Sequence, residues 1–361
     1  MGTGTAFLEP SRFIRADSPQ DVDRAFDAIQ RAQQDGKWLA GYFSYEFGYL
    51  MSPKLRHLLP PTRELPLFHF GVFDGPSPSD TRAVDARASL APTEPAWNLD
   101  TYSKVFAKVH DYIEAGDIYQ ANVTFPLLSR YEGDLETLYA RLCQHQPVPH
   151  GAMVELEATT LLSRSPELFF SLSSEGQLTM RPMKGTAPRG RTPNEDDALR
   201  DGLRASEKNQ AENLMIVDLL RNDMSRVSEI GTVKVPELFV VERFATLHQM
   251  TSCITSQILQ GTTFQDLFTA LFPCGSITGA PKVRAMQIIH EVETHPREAY
   301  CGSIGWIAPS GAMEFNVAIR TLMCRKDKSV VMNVGGGVVY DSTAPDEYAE
   351  ALLKSRFADL S

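Results

Sequence analysis

Lys184 stands in the run TMRPMKGTAPRG (179–190), between a Pro-Met pair and a Gly-Thr pair, with Arg181 and Arg189 close by. A lysine beside glycine and proline is ordinarily a charge on a surface turn. The other reading is an amine placed for its chemistry, which requires partners elsewhere in the chain.

Two acidic helices are the first candidates. In AENLMIVDLLRND (211–223), Glu212, Met215, Ile216 and Leu219 fall at i, i+3, i+4 and i+7, so a carboxylate shares a stripe with core residues. It is either a first-turn acid answering the helix dipole or an inward metal ligand. In PDEYAEALLKSRF (345–357), Glu347, Glu350 and Lys354 share one face, behind a capping pair of Thr343 and Asp346. A solvated, salt-bridged face is the commoner origin of such a run. Acids on two helices are also what Mg²⁺ would use beside an anionic substrate.

Three further stretches suit anion binding. GSITGAP (275–281) supplies Ser276, Thr278, backbone amides and a proline at an expected helix start. GGG (335–337) is either a bulge or a place where backbone amides approach a ligand. Arg320 alternates with apolar residues in NVAIRT, an expected strand, and facing inward it needs an acid: an internal salt bridge or a substrate carboxylate. The pocket these groups imply takes a small polyanion.

The elements that must position these groups mix helix and strand without regular alternation, which points to an α+β fold rather than a doubly wound parallel sheet. Strands are expected at 38–47, 65–75, 167–172 and 329–341, and a helix at 101–117. Pro/Ser-rich loops place a boundary within 76–97, dividing an N-terminal region, 1–97, from a region 98–361.

With 361 residues, 43% hydrophobic and 22% charged, the chain can bury a large core. A net charge of −10 argues against nucleic-acid binding. Five cysteines without a C-x-x-C pair read as reduced thiols. No apolar run reaches membrane-span length and the N-terminus lacks a signal-peptide core, so a soluble cytoplasmic protein without a membrane partner is expected. HEVETH (290–295) spaces its histidines five apart, about 140° round a helix, which disfavours a shared zinc. GSITGAPK lacks P-loop spacing, and GGG lacks a dinucleotide context.

Taken together, GDIYQANVT (116–124), SPELF (165–169), RPMKGTAPR (181–189), AENLMIVDLLRND, GSITGAPKVRAM (275–286), YCGSIGW (300–306), AIRT (318–321) and GGGVVYDS (335–342) resemble the chorismate-utilising enzymes, in that family's order. The resemblance runs from about residue 100 to the end, with a weaker likeness in GYFSYEFGY (41–49). It implies a single large chorismate-binding domain of antiparallel sheets packed face to face with helices outside, to which residues 1–97 add strands. It also implies Mg²⁺ on Glu212 and Glu350, with Glu347 beside them, and substrate contacts from Gln120, Thr186, Ser276, Thr278, Tyr300, Arg320, Gly335, Gly337 and Lys354. His248, in TLHQM, falls on an active-site histidine.

Two positions separate reactions within the family. Relatives that add water resemble one another in carrying lysine where Gln120 stands, and those that add ammonia carry glutamine. Anthranilate synthases carry alanine where Lys184 stands, whereas the aminodeoxychorismate branch carries lysine. The implied activity is conversion of chorismate and ammonia into 4-amino-4-deoxychorismate for para-aminobenzoate and folate synthesis. Lys184 is the implied nucleophile at C2 and Glu167 the general acid. Ammonia is expected from a separate glutamine amidotransferase subunit, since no glutaminase-like cysteine motif is seen. A lysine titrates near ~10.4, so its pKa must be depressed by burial or by cations, for which Arg181 and Arg189 are the candidates. Three positions depart from the family: Asn209 for an acid, Cys274 for a glycine and Ala351 for a threonine. The alternatives are anthranilate synthase component I and a catalytically silent chorismate-binding paralogue.

Overall fold

Apolar side chains alternate along the strands of this protein, and each strand divides them between two layers. Leu161 and Met323 join a cluster that also holds Tyr42 and Ile304, whereas Leu162, Leu322 and Cys324 face the other way, into a core under helices. The computed structural model describes residues 4–78, 87–244 and 247–360. Thr246 of TLHQM and the 79–86 portion of the boundary loop lie outside the described residues.

Two large sheets result. One contains the strands Gly279–Ala280, Gln120–Glu132, Ser329–Val338, Thr321–Arg325, Thr159–Ser163 and Ala152–Glu155, in that order. The other runs from Met183–Pro188 through Leu247–Gln257, Gln177–Arg181, Leu168–Leu172, Met313–Asn316 and Ser303–Ile307 to three N-terminal strands, Trp38–Phe43, Phe68–Phe73 and Arg12–Ala16. Their pairings are antiparallel. Each sheet has its own apolar core beneath helices, and the small cluster around Tyr42 and Leu161 joins the two. The α+β expectation, antiparallel sheets face to face with helices outside, is met.

Two of the passages that the chain makes between the sheets lie side by side. Residues 164–167 lead from Thr159–Ser163 to Leu168–Leu172, and residues 317–320 lead from Met313–Asn316 back to Thr321–Arg325. The passages are laced together: Arg164 N donates to Arg320 O (2.9 Å), Ser165 Oγ to Val317 O (2.6 Å) and Val317 N to Glu167 O (3.0 Å). Glu167 and Arg320 therefore sit where both sheets open.

Several expected elements differ. NVAIRT is not a strand: Asn316 ends one strand and Thr321 begins the next, in the other sheet, and Arg320 has φ 51°. A non-glycine residue at positive φ costs about 1–3 kcal/mol, which the laced passages around it sustain. The strand begun at Trp38 stops at Phe43, and Tyr45–Met51 turns as a 3₁₀ helix. It turns because Glu46 is drawn inward to accept the backbone N–H groups of Arg297 (2.7 Å) and Glu298 (3.0 Å). The helix bearing Glu212 begins earlier, as Glu207–Ser225 with Ser206 as its cap, so Glu207 is its first-turn acid and Glu212 is not. The C-terminal helix ends at Leu353, and Lys354 opens a 3₁₀ turn. No helix among the described residues is long and apolar enough to cross a membrane.

Candidate active site

Lys184 lies in the edge strand Met183–Pro188, whose register against Leu247–Gln257 shifts between Met183 and Thr186. Gly185 makes that shift at φ +86°, and a Cβ there would stand 2.8 Å from Asn209 Oδ1. The helix Glu207–Ser225 thus presses on a bulge that only glycine forms without strain, and bulges re-aim neighbouring side chains. Asn209 itself is tied back by its Nδ2 to Ser206 Oγ (2.8 Å).

Lys184 is half-buried, and desolvation lowers its pKa most, followed by Lys354. Glu212, Glu167 and Glu350 act the other way. The two arginines do not supply the depression. Arg181 is engaged by Glu242 (2.6 Å) and Glu237 (3.1 Å), and Arg189 by Asp196 (2.8 Å). These acids neutralise both guanidinium groups, and the cation set against Lys184 comes from the far end of the chain.

Gln120 opens the strand Gln120–Glu132, fully buried, with neither side-chain Oε1 nor Nε2 hydrogen-bonded. Two unpaired amide atoms at such a depth are costly unless a ligand meets them. Gly337 makes room: a Cβ there would lie 2.8 Å from Gln120 Nε2 and 3.3 Å from Lys184 Nζ. Gly337→Ala is expected to leave the fold intact, displace both groups and lower turnover roughly 10²-fold, measured by steady-state kinetics.

Glu167 is buried, and burial raises its pKa to about 7. Ser276, whose Oγ donates to Glu167 Oε1 (2.8 Å), lowers it, as do Lys184, Arg320 and His150. Arg320 has no side-chain hydrogen bond or ion pair among the described residues; burial lowers its pKa against Glu167 and Tyr300. Tyr300 is buried beside it, its phenol pushed up by desolvation. A charge-bearing guanidinium that no protein acid engages by a hydrogen bond or ion pair among the described residues is suited to a substrate carboxylate.

The acidic helices converge. Glu347 is raised by burial, Glu350 and Glu212, and accepts from Ser342 Oγ (2.7 Å). Glu350 is lowered first by Lys354, which it meets at 2.8 Å. Lys354 Nζ also donates to Gly335 O (2.9 Å), and a Cβ on Gly336 would lie 2.9 Å from Glu347 Oε2. The glycine run is thus a floor pressed against the acids. Among the described residues no three His, Cys, Asp or Glu side chains form a ready metal cage. Mg²⁺ commonly takes one or two carboxylates plus substrate oxygens, so this mutually repelling oxygen set still fits a hard divalent cation.

Other expected residues are placed differently. Thr278 Oγ1 donates to Cys274 O (3.1 Å) and Gly275 O (3.3 Å), closing its own turn. The next helix begins only at Lys282, after a cap at Pro281, so Ser276 and Thr278 do not form a helix-start anion site. Thr186 is exposed and donates to Gln249 (3.1 Å). His248 is wholly buried, its Nε2 on Asp196 Oδ1 (2.9 Å) and its Nδ1 without a partner. The imidazole that influences Glu167 is His150, paired with Glu314 (3.0 Å), which sequence reasoning passed over because 147–153 carries no periodic signal. Of the three departures from the family, Cys274 places its buried Sγ 3.2 Å from Ser276 Oγ, with its thiol pushed up to about 12 by burial, and Ala351 is a core residue.

Residues 75–358 match the family described as chorismate binding enzyme. The aminodeoxychorismate synthase component 1 of Escherichia coli (strain K12) is 44% identical over 255 residues, 71% of this chain and 56% of that protein. The protein of the same name from Klebsiella aerogenes is 37% identical over 338 residues, 85% of this chain and 74% of its own length. The chain thus spans little more than half the length of the first of these curated relatives. The crystal structure of anthranilate synthase component I from Streptococcus pneumoniae TIGR4 superposes with a TM-score of 0.86 at 23% identity, over 99% of this chain and 93% of that one, which is a likeness of fold. With the matched region taking in every site group described above, the chain belongs to the chorismate-binding enzyme family.

Proposed function

We propose that this protein converts chorismate and ammonia into 4-amino-4-deoxychorismate, a reading supported by the name aminodeoxychorismate synthase component 1 that the relatives from Escherichia coli and Klebsiella aerogenes bear. The observation that carries the reading is the meeting of three groups: a half-buried amine with lowered pKa at Lys184, a buried carboxyl near 7 at Glu167, and an unpartnered amide at Gln120. Arg320 and Lys354 supply the cationic contacts for the substrate carboxylates.

In this reading the neutral Lys184 amine forms a bond to C2, the conjugated double bonds shift, and the C4–O bond breaks. Glu167 gives its proton to the departing hydroxyl, which leaves as water. Ammonia then bonds to C4, the double bonds return, and the C2–N bond breaks. The two protons released, one from the ammonium adduct of lysine and one from the added ammonia, restore Glu167 and Lys184. Gln120 offers its Oε1 to the incoming nitrogen. Glu212 and Glu350, with Glu347 beside them, would hold Mg²⁺, which when bound compensates the charge of a substrate carboxylate. A separate glutamine amidotransferase subunit supplies ammonia, and the free cysteines suit a reducing, cytoplasmic setting. The product serves para-aminobenzoate and folate synthesis.

The deciding assay combines protein, chorismate, Mg²⁺ and an ammonium salt, followed by an aminodeoxychorismate lyase. Para-aminobenzoate is the expected product. Anthranilate alone would transfer the chain to the ortho-amino branch, and no consumption of chorismate would leave a binding paralogue.

A further inference from the structure

Behind the site, Arg297 is 2% exposed and uses every nitrogen of its guanidinium. Nε and Nη2 clasp Glu293 (2.8 and 2.7 Å), Nη1 donates to Ile277 O (2.9 Å) and Nη2 to Asn122 O (2.6 Å). The group lies 4.4 Å from the centre of the Tyr45 ring. Its two carbonyl partners are not arbitrary. Ile277 follows Ser276, which holds Glu167, and Asn122 is two residues beyond Gln120, in the same strand. The same two segments pair directly, Asn122 N donating to Thr278 O (2.8 Å) and Gly279 lying opposite Ala121. The backbone of Arg297 is itself fixed, since Glu46 accepts its N–H (2.7 Å).

We propose that Arg297 is a positioning residue for the reaction: its guanidinium clamps the Ser276 turn to the Gln120 strand and so sets the hydrogen bond through which Ser276 holds Glu167. A buried guanidinium bonded to two carbonyls fixes their spacing as a fork, which lysine, a single point donor, does not. In the Arg297→Lys protein the charge opposite Glu293 remains while the clamp is lost. The turn then drifts, Ser276 leaves Glu167, and the carboxyl loses a donor that favours its ionised form.

The test reads Glu167 itself and does not depend on turnover. In protein without substrate, the carboxyl band of Glu167 is followed by isotope-edited infrared titration, with Glu167→Gln identifying the band. The groups that face Glu167, namely Lys184, Arg320, His150, Cys274 and Cys301, are unchanged in all the comparison variants. Ser276→Ala is expected to raise the midpoint by about one pH unit, the worth of one hydrogen bond to a charged group. Arg297→Lys should raise it in the same direction, and the double variant should add nothing further. An unmoved midpoint in a folded Arg297→Lys protein, or additive shifts in the double variant, overturns the proposal. Should Arg297→Lys fail to fold, Glu293→Gln loosens the same guanidinium while leaving it in place, and an unmoved midpoint there is equally decisive against it. In the aminodeoxychorismate assay, on whose reading the kinetic arm rests, kcat should fall about 10–100-fold while KM for chorismate moves little, because Arg320 is untouched. A failed product assignment would leave the titration result standing.

Discussion

A Lys184→Ala protein mixed with chorismate is expected to show no chorismate-derived mass addition where the parent protein shows one, and to turn over on the order of 10²–10⁴-fold more slowly with ammonium salt, the scale of losing one reacting group. The physical basis is a contest at one nitrogen. Burial disfavours the ammonium form, and Lys354 repels it; Glu212, Glu167 and Glu350 attract it. Burial wins, so part of the protein carries a neutral amine at a pH where a solvated lysine would not. Ammonia attacking C4 directly leaves some turnover, so the mass measurement, not the rate, decides. A lysine-free adduct in the variant would remove Lys184 from the chemistry. Lys184→Arg separates charge from nucleophilicity: it retains a cation beside the acids but should form no adduct either. A second consequence distinguishes loss of the amine from general damage. Lys184 helps hold the Glu167 carboxyl down, so its removal should raise that group's titration midpoint in a protein that remains folded.

How far the sequence reached depended on whether the signal was local. The irregular mix of helix and strand pointed to an α+β fold, and antiparallel sheets under helices were implied by the family resemblance; the alternation that builds them, with Leu161 and Leu162, or Met323 and Cys324, on opposite faces, is seen in the structure. The same alternation misread Arg320, because a two-residue period does not distinguish a strand from a four-residue passage between sheets. Glu212 was open to the helix-dipole reading only while the helix start at Ser206 was unseen. Arg181 and Arg189 were chosen for nearness in sequence, yet each meets an acid, and the cation opposing Lys184 is 170 positions away in the chain. Gln120 was marked by resemblance; the structure adds a separate reason in its two unpaired, fully buried amide atoms. Arg297 and His150 gave no periodic or motif signal, since their importance lies in what long-range folding sets against them: the carbonyls of Ile277 and Asn122 for one, Glu167 for the other.

Glu167→Gln should make the protein less active and, above neutral pH, more stable. In the proposed reaction Glu167 gives its proton to the leaving hydroxyl, so activity is expected to fall as pH rises through its value near 7. The same reading requires a neutral Lys184, so activity is also expected to fall on the acid side. A charged pair and a neutral pair contain the same number of protons, and the two limbs of the profile therefore belong to the Lys184–Glu167 couple rather than to either residue. Glutamine retains an oxygen for Ser276 but has no proton to transfer, which is expected to lower kcat by about 10²–10⁴-fold and to abolish the basic limb. Stability moves oppositely. The folded carboxyl titrates at about 7 against an ordinary 4.5, so the folded state binds the proton more tightly than the unfolded chain. Its contribution is fully present below about 4.5, declines as pH rises, and is lost above about 7. The accumulated difference is about 3 kcal/mol, and the neutral amide does not incur it. Urea denaturation should accordingly find Glu167→Gln more stable than the parent at pH 8 and the advantage gone near pH 4.5. A variant equally destabilised at both pH values would mean that Glu167 is ionised in the folded protein throughout, and with that its role as the acid would fall.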